Sequence, residues 1–195
     1  MEKMDVRQVH EWRWRSFEKL LGFTCQSKNP KEVLEWGPGR STFVILNHAL
    51  QANILSIEHH AKWYRLAVRQ FEKSERVELV HREIGVKGGV SVGYANYPLW
   101  RAMKAGSPVA KYDLVFVDGR HRFDCLVAAF YLVKDDGVVM LHDTWREIYM
   151  PAVELFPHVK VFDNVRTAVM SKSPLTFLDR FEQGEVPGAD LDDKW

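Results

Sequence analysis

Val33-Leu34-Glu35-Trp36-Gly37-Pro38-Gly39-Arg40-Ser41-Thr42 decides how the rest of the chain is read. A short, mostly apolar run carries one acid and then meets two glycines one residue apart. This order predicts a buried strand, a tight turn and the start of a helix. Gly37 and Gly39 let the backbone turn sharply and let a ligand approach the main chain, while Ser41 or Thr42 can cap the helix. A small ligand is expected at this turn, against the plainer alternative of an ordinary strand-to-helix connection.

A dinucleotide fingerprint, G-x-G-x-x-G, would need a third glycine at position 42, where the chain has Thr42. The acid two residues before the first glycine points elsewhere. Glu35-x-Gly37-x-Gly39 resembles motif I of the class I S-adenosylmethionine (SAM) dependent methyltransferases, with Ser41 replacing the last glycine of the fuller motif. The resemblance implies that Glu35, Gly37, Pro38, Gly39, Ser41 and Thr42 surround SAM.

Upstream, Val6, Val9, Trp12, Phe17, Leu20 and Leu21 recur mostly at three- and four-residue steps with arginines and a lysine between them, which predicts an amphipathic helix ending at Gly22. Such a helix can cover the active site, form a dimer face, or simply pack on the sheet. The 195 residues suit a single domain spanning 1–195, with residues 1–22 as an N-terminal helix and 171–195 as a C-terminal extension. Hydrophobic residues make up 46% and charged residues 27%, and 27 basic against 26 acidic side chains leave a net charge of +1. That balance provides no field for nucleic acid. The first residues lack the apolar core of a secretion signal, and the longest apolar run, Leu126 to Val133, is too short to span a bilayer. Cys25 and Cys125 have no metal-finger spacing and read as reduced thiols, so the expectation is a soluble, cytoplasmic protein.

Downstream, Phe43 to Ala52 can carry a helix and Ile54 to Ile57 a second strand, closing on Glu58, 21 residues after Gly37. One helix and one strand fill that distance, so Glu58 is expected at the carboxyl end of the neighbouring strand, where an acid can accept both hydroxyls of a ribose. A carboxylate placed to face the dipole of the helix predicted over Ala61 to Phe71 is the alternative. His59, directly after it, can pack on adenine or stand at the surface. Val77 to Val80 predicts a third strand, with Glu83 just beyond it near the adenine. Gly85 to Lys111 is long for a connection and rich in glycine and aromatic residues; it reads either as an acceptor-binding loop or as a partly helical crossover.

Tyr112 to Asp143 is the second informative stretch. A buried-type strand, Asp113 to Val117, stops at Asp118-Gly119-Arg120-His121, and Phe123 to Val133 has helical character. Asp136-Gly137 then turns the chain into Val138 to Leu141, which stops at His142-Asp143-Thr144. Adjacent strands lie about 4.8 Å apart, close enough for Asp118 and Asp143 to share one cation. Together with Glu35 and Glu58, these residues look like the small-molecule O-methyltransferases of class I. In the catechol type the acids ending the fourth and fifth strands hold magnesium and an asparagine follows the second; Thr144 stands there in this chain. In the macrocin-type sugar O-methyltransferases the Asp-Gly-x-His pattern gives a metal-binding aspartate and a base, which Asp118 and His121 match. The resemblance thus implies Asp118 and His121 as catalytic residues, Asp118 also near SAM, and a divalent cation such as Mg2+ on Asp118 and Asp143. Arg120 cannot be the base.

Ile148 to Phe156 suggests a helix interrupted by Pro151, and Val159 to Phe162 with Thr167 to Met170 a closing hairpin. The expected fold is a three-layer α/β sandwich: a Rossmann-like, seven-stranded, mostly parallel sheet closed by an antiparallel hairpin. The expected function is SAM-dependent O-methyl transfer to a hydroxyl of a sugar, glycan or other small molecule, without nucleic acid or membrane as partner. An NAD(P)-dependent oxidoreductase is the competing class, though no Tyr-x-x-x-Lys pair stands at a strand end. A non-catalytic SAM-binding module and a nucleic-acid methyltransferase are the others.

Overall fold

The computed structural model describes residues 6–87, 90–91, 93–106, 108–109 and 111–184, and side chains from Trp14 onward except at 86–87 and 90–91. The early apolar positions Val6, Val9 and Trp12 therefore lie outside the described side chains, as does the end of the predicted C-terminal extension.

Seven strands form one sheet: β1 (Glu32–Trp36), β2 (Asn53–Glu58), β3 (Val77–His81), β6 (Tyr112–Val117), β7 (Val133–His142), β8 (His158–Phe162) and β9 (Thr167–Ser171). A separate two-stranded hairpin, β4 (Val86–Lys87) with β5 (Val90–Ser91), stands between β3 and β6. The sheet order is β3-β2-β1-β6-β7-β9-β8; β9 pairs antiparallel with both β7 and β8, and the remaining pairs are parallel. This is the expected mostly parallel sheet with its closing hairpin.

Alternation along the central strands explains the layers. Leu34 and Trp36 of β1, Val115 and Val117 of β6, and Val139 and Leu141 of β7 pack on one face with α5 (Arg122–Leu132) and the short α6 (Met150–Val153). Tyr97 of α4 (Tyr97–Lys104) joins them. Val33, Leu114, Phe116, Val138 and Met140 face the other way. There they meet Phe17, Leu20, Leu21 and Cys25 of α1 (Val6–Lys28), Ile45 of α2 (Arg40–His48) and Leu178 of α7 (Phe177–Glu182). α3 (Ala61–Phe71) follows β2 and buries Ala67 and Phe71. Among the described residues, no helix is long and apolar enough to cross a membrane.

The structure refines several sequence expectations. The first helix does not stop at Gly22 but runs on to Lys28. A Cβ at Gly22 would come within 3.0 Å of the His48 ring, so this glycine serves close packing of α1 on α2, and Asn29, with φ 43°, ends the helix instead. Asp136-Gly137 is not a turn. β7 is continuous from Val133, and the pairing register with β6 shifts between Tyr112 and Leu114; Gly137 fits because a Cβ there would meet the Tyr112 carbonyl at 2.9 Å. The described residues between Gly85 and Lys111 form the β4–β5 hairpin and α4, with Tyr94 and Tyr97 buried in the core and Trp100 half-exposed. The second helix begins at Arg40, earlier than the apolar pattern suggests, and Pro151 sits in the first turn of α6, where the absent N–H is tolerated.

Candidate functional site

The direction of strand crossover reverses between β1 and β6, and the carboxyl ends of β1, β2 and β6 are tied together at that point. Gly37 N–H donates to the Ile57 carbonyl (3.0 Å) and Asp118 N–H to the Trp36 carbonyl (2.9 Å). Around these ends lies a cavity of about 1230 Å3. Its floor is the Gly37–Ser41 turn, Glu58 with His59, and the run Asp118 to Asp124; Trp14, Trp63, Arg146 and Ile148 stand on its walls. A ligand crevice is expected at such a switch point. A smaller cavity of about 520 Å3 lies at the opposite, amino ends of the strands beside Glu32, Asn53 and Tyr112, and it contains none of the predicted site residues.

The two glycines of the turn differ. Gly37 has φ 92°, and a Cβ there would lie 2.9 Å from the Gly119 nitrogen, so backbone conformation and close approach both require glycine. A Cβ on Gly39 would meet nothing within 4 Å. Gly39 lines the cavity, so its lack of a side chain leaves that part of the cavity open. The expected helix cap is rearranged: Thr42, in the first turn of α2, reaches back so that its Oγ1 accepts from the Gly39 N–H at 3.0 Å.

Glu35 is wholly buried beneath this turn, away from the cavity wall. Its carboxyl accepts from the hydroxyls of Ser41 (2.6 Å), Thr42 (2.7 Å) and Ser56 (2.7 Å), tying α2 and β2 to β1. Burial pushes its pKa up from 4.5 to about 7, against the pull of the three hydroxyl donors. Of the six motif residues, Gly37, Pro38, Gly39 and Ser41 reach the cavity, while Glu35 and Thr42 brace the turn from below.

Glu58 ends β2 where the sequence places it, nearly buried and on the cavity floor. Its Oε1 accepts the His60 N–H at 2.6 Å. Among the described residues Oε2 has no hydrogen-bond partner. His59 lines the same wall; its Nδ1 lies 2.9 Å from Glu58 Oε1 but off the hydrogen-bonding direction. Burial lowers the His59 pKa, partly offset by the Glu58 carboxylate, which favours a neutral ring. Glu83 is exposed and does not line the cavity.

His121 caps α5 in a left-handed conformation (φ 48°, ψ 44°), and its side chain lines the cavity. Nδ1 lies 3.3 Å from Asp124 Oδ2, and Nε2 has no partner among the described residues. Asp124 was not singled out by sequence reasoning, though its i,i+3 spacing from His121 across a helix start was the available signal.

The acids ending β6 and β7 are not opposite each other. Val117 pairs with Leu141, so Asp118 stands level with His142, and its Oδ1 lies 3.1 Å from His142 Nδ1. Asp143 comes one residue later with φ 59°. The guanidinium of Arg122 stands between the two carboxylates, Nη2 at 3.0 Å from Asp118 Oδ1 and Nη1 at 3.6 Å from Asp143 Oδ2. It also donates to three backbone carbonyls: Gly119 (2.9 Å), Asp118 (3.2 Å) and His142. Ligand atoms of Asp118, His142 and Asp143 lie within 4.8 Å of one another, which is cation-site spacing. A divalent ion placed there would share the space with a guanidinium and compete for atoms already engaged, so the donor set in this arrangement does not fit a resident ion. Arg122 was missed because a first-turn arginine ordinarily reads as a solvated charge.

No protein-family model and no curated protein matches this chain. Solved structures do resemble it. A methyltransferase-like protein from Silicibacter pomeroyi is 22% identical, over 85% of this chain and 92% of that one, with a TM-score of 0.60. An O-methyltransferase from Bacillus cereus, crystallised with S-adenosylhomocysteine (SAH), is 15% identical over 88% and 93% of the two chains, with a TM-score of 0.60. TomG, an O-methyltransferase from Streptomyces achromogenes involved in tomaymycin synthesis and crystallised with SAM, is also 15% identical, over 88% and 92%, at 0.59. A spermidine synthase from Thermotoga maritima shares the architecture too, at 17% identity and 0.56, so the scaffold alone does not fix the chemistry. What these identities share is architecture: the chain has the Rossmann-like fold of the class I SAM-dependent methyltransferases.

Proposed function

We propose that this chain is a SAM-dependent methyltransferase that acts on a hydroxyl of a small molecule, with a sugar or glycan as the acceptor class. The observation that carries the reading is that one cavity at the switch point brings together the open Gly39, the Glu58 carboxylate and a histidine with an unengaged ring nitrogen.

SAM, when bound, supplies a methyl group already activated on a sulfonium. The Gly37–Ser41 turn and Glu58 would hold it, with Glu58 Oε2 available for the ribose hydroxyls and neutral His59 beside them. What remains for the chain is to align an acceptor oxygen and remove its proton. His121 does the latter: Asp124 favours a proton on Nδ1, so Nε2 carries the lone pair that accepts from the hydroxyl, and the imidazolium formed stays next to a carboxylate. Asp118 keeps Oδ2 for a ligand donor while Oδ1 is held by His142 and Arg122. Trp63 and Phe123, both exposed at the cavity, offer flat faces on which a sugar ring can rest. No step is routed through a metal ion, because the place expected for one is taken by Arg122. Cys25 and Cys125 are free and buried, in keeping with a reducing compartment such as the cytoplasm.

Incubation with SAM and a panel of sugars, glycans and phenols, read by SAH release, tests this. Turnover of a sugar hydroxyl is expected, lowered roughly 10²–10⁴-fold in His121→Ala. SAM binding without turnover on any acceptor would instead make the chain a binding module.

A further inference from the structure

We propose that Arg122 is the built-in cation of this site: its guanidinium takes the position between Asp118 and Asp143 where the sequence resemblance implies a divalent ion, and the chain needs no metal there. The inference rests on the reading of this cavity as the transfer site only for its consequence in catalysis.

Three features carry it. The first is occupancy. Arg122 is only 13% exposed, and all three of its guanidinium nitrogens are engaged: Nε with the Gly119 carbonyl, Nη2 with the carboxylate and carbonyl of Asp118, Nη1 with the His142 carbonyl and Asp143. Swinging the side chain out to admit an ion would leave these carbonyls without that donor in a partly buried corner. The second is the state of the ligand atoms. Asp118 Oδ1 contacts both Arg122 and His142 Nδ1, so one oxygen of this carboxylate is already engaged by two neighbours. The third is position. Val117 pairs with Leu141, so Asp118 follows the last β6 pair at the level of His142, while Asp143 comes one residue later with φ 59°, and the Arg122 fork reaches both carboxylates, at 3.0 and 3.6 Å. Arginine also cannot be neutralised in any ordinary pH range, so it is a permanent charge. Because Arg122 lines the cavity, that charge stands where an acceptor oxygen would become negative. Unlike a coordinated ion, it does not make the hydroxyl strongly acidic, which leaves proton removal to His121.

Manganese(II) binding to the full chain, followed by the electron paramagnetic resonance of the free ion, tests the proposal without reference to methyl transfer, so its failure is separable from failure of the methyltransferase reading. The wild type is expected to show no stoichiometric manganese site up to millimolar ion, and its melting temperature is expected to be the same in chelator and in excess magnesium. Arg122→Met, which keeps the length but removes the charge, is expected to bind one manganese ion at least tenfold more tightly than wild type, and to lose that gain when Asp118→Asn is added. Stoichiometric manganese binding by the wild type that Asp143→Asn abolishes would overturn the proposal. So would a folded Arg122→Met protein with no gain in affinity. If Arg122→Met does not fold, the wild-type measurements decide alone: tight binding, or a melting temperature that falls in chelator, refutes the built-in cation.

Discussion

Gly37 and Gly39 stand one residue apart, yet the structure predicts opposite outcomes when each becomes alanine. At Gly37 the new methyl would enter a φ of 92° and lie 2.9 Å from the Gly119 nitrogen, a backbone atom that cannot step aside. The left-handed conformation costs about 1–2 kcal/mol and the overpacking about 1–3 kcal/mol, so Gly37→Ala should lose about 2–5 kcal/mol. For a chain of this size that lowers the melting temperature by roughly 5–20 °C. At Gly39 a Cβ meets nothing within 4 Å, so Gly39→Ala should leave stability within about 0.5 kcal/mol of wild type. Its methyl would nevertheless stand in the space proposed for SAM, and a loss of tenfold or more in SAM affinity, about 1.4 kcal/mol, is expected. Thermal melts and calorimetric titration of both variants separate the two effects. A Gly39→Ala protein that binds SAM as wild type does would refute the placement of the ligand against the turn, and a Gly37→Ala protein of full stability would refute the packing against Gly119.

Other consequences are independent of this one. Asp124→Asn should lower kcat with little change in SAM affinity, and by less than His121→Ala does, since it weakens the orientation of the proposed base without removing it; steady-state kinetics with SAM titration read both. Because the folded-state pKa of Glu35 is raised from 4.5 to about 7, the folded protein holds a proton there that the unfolded chain has released; this contribution to stability is fully present below pH 4.5 and is lost as pH rises towards 7. The stability of wild type relative to Glu35→Gln, from denaturant melts between pH 4.5 and 8, should fall over that window, and a flat difference would contradict it. The buried Tyr94 hydroxyl has no well-formed hydrogen bond among the described residues, and an added Cβ on Gly119 would lie 1.9 Å from it. Tyr94→Phe should therefore stabilise the fold by about 1 kcal/mol. Gly119→Ala should be destabilising alone and markedly less so in the Tyr94→Phe background, a coupling that a double-mutant cycle measures.

The strands of the sheet were legible because parallel strands buried on both faces leave continuous apolar runs, and each run here ends at a residue of unlike chemistry: Trp36 before Gly37, Ile57 before Glu58, Val117 before Asp118. Strand ends at one edge of a sheet then place Gly37, Glu58 and Asp118 together, and the structure does so. Side-chain reach was less legible. Glu35 belongs to the quoted motif, but the hydroxyls of Ser41, Thr42 and Ser56 claim it below the turn, and Ser56 lies in another strand, so only tertiary pairing reveals this contact. Gly22 reads as a helix terminator by composition, whereas packing against His48 makes it an interior residue. The side-chain contact of Asp118 with His142 depends on register, Val117 pairing with Leu141, which strand ends counted along the chain do not supply. Arg122 and Asp124 fall in the first turn of a helix, where charged residues are common for reasons of solvation, so their i,i+4 and i,i+3 spacing from Asp118 and His121 stood out little from the background until the structure showed the contacts.

The central claim is that the switch-point cavity takes SAM through the glycine turn and Glu58, and calorimetric titration of SAM into wild type and Glu58→Ala tests it most directly. The account predicts one SAM site per chain, weakened by about 1.5–3 kcal/mol in a Glu58→Ala protein that melts as wild type does, the scale of losing charge-assisted hydrogen bonds to the ribose. Equal SAM affinity in the two proteins would remove Glu58 from the site, and a wild type that binds NAD but neither SAM nor SAH would contradict the account as a whole.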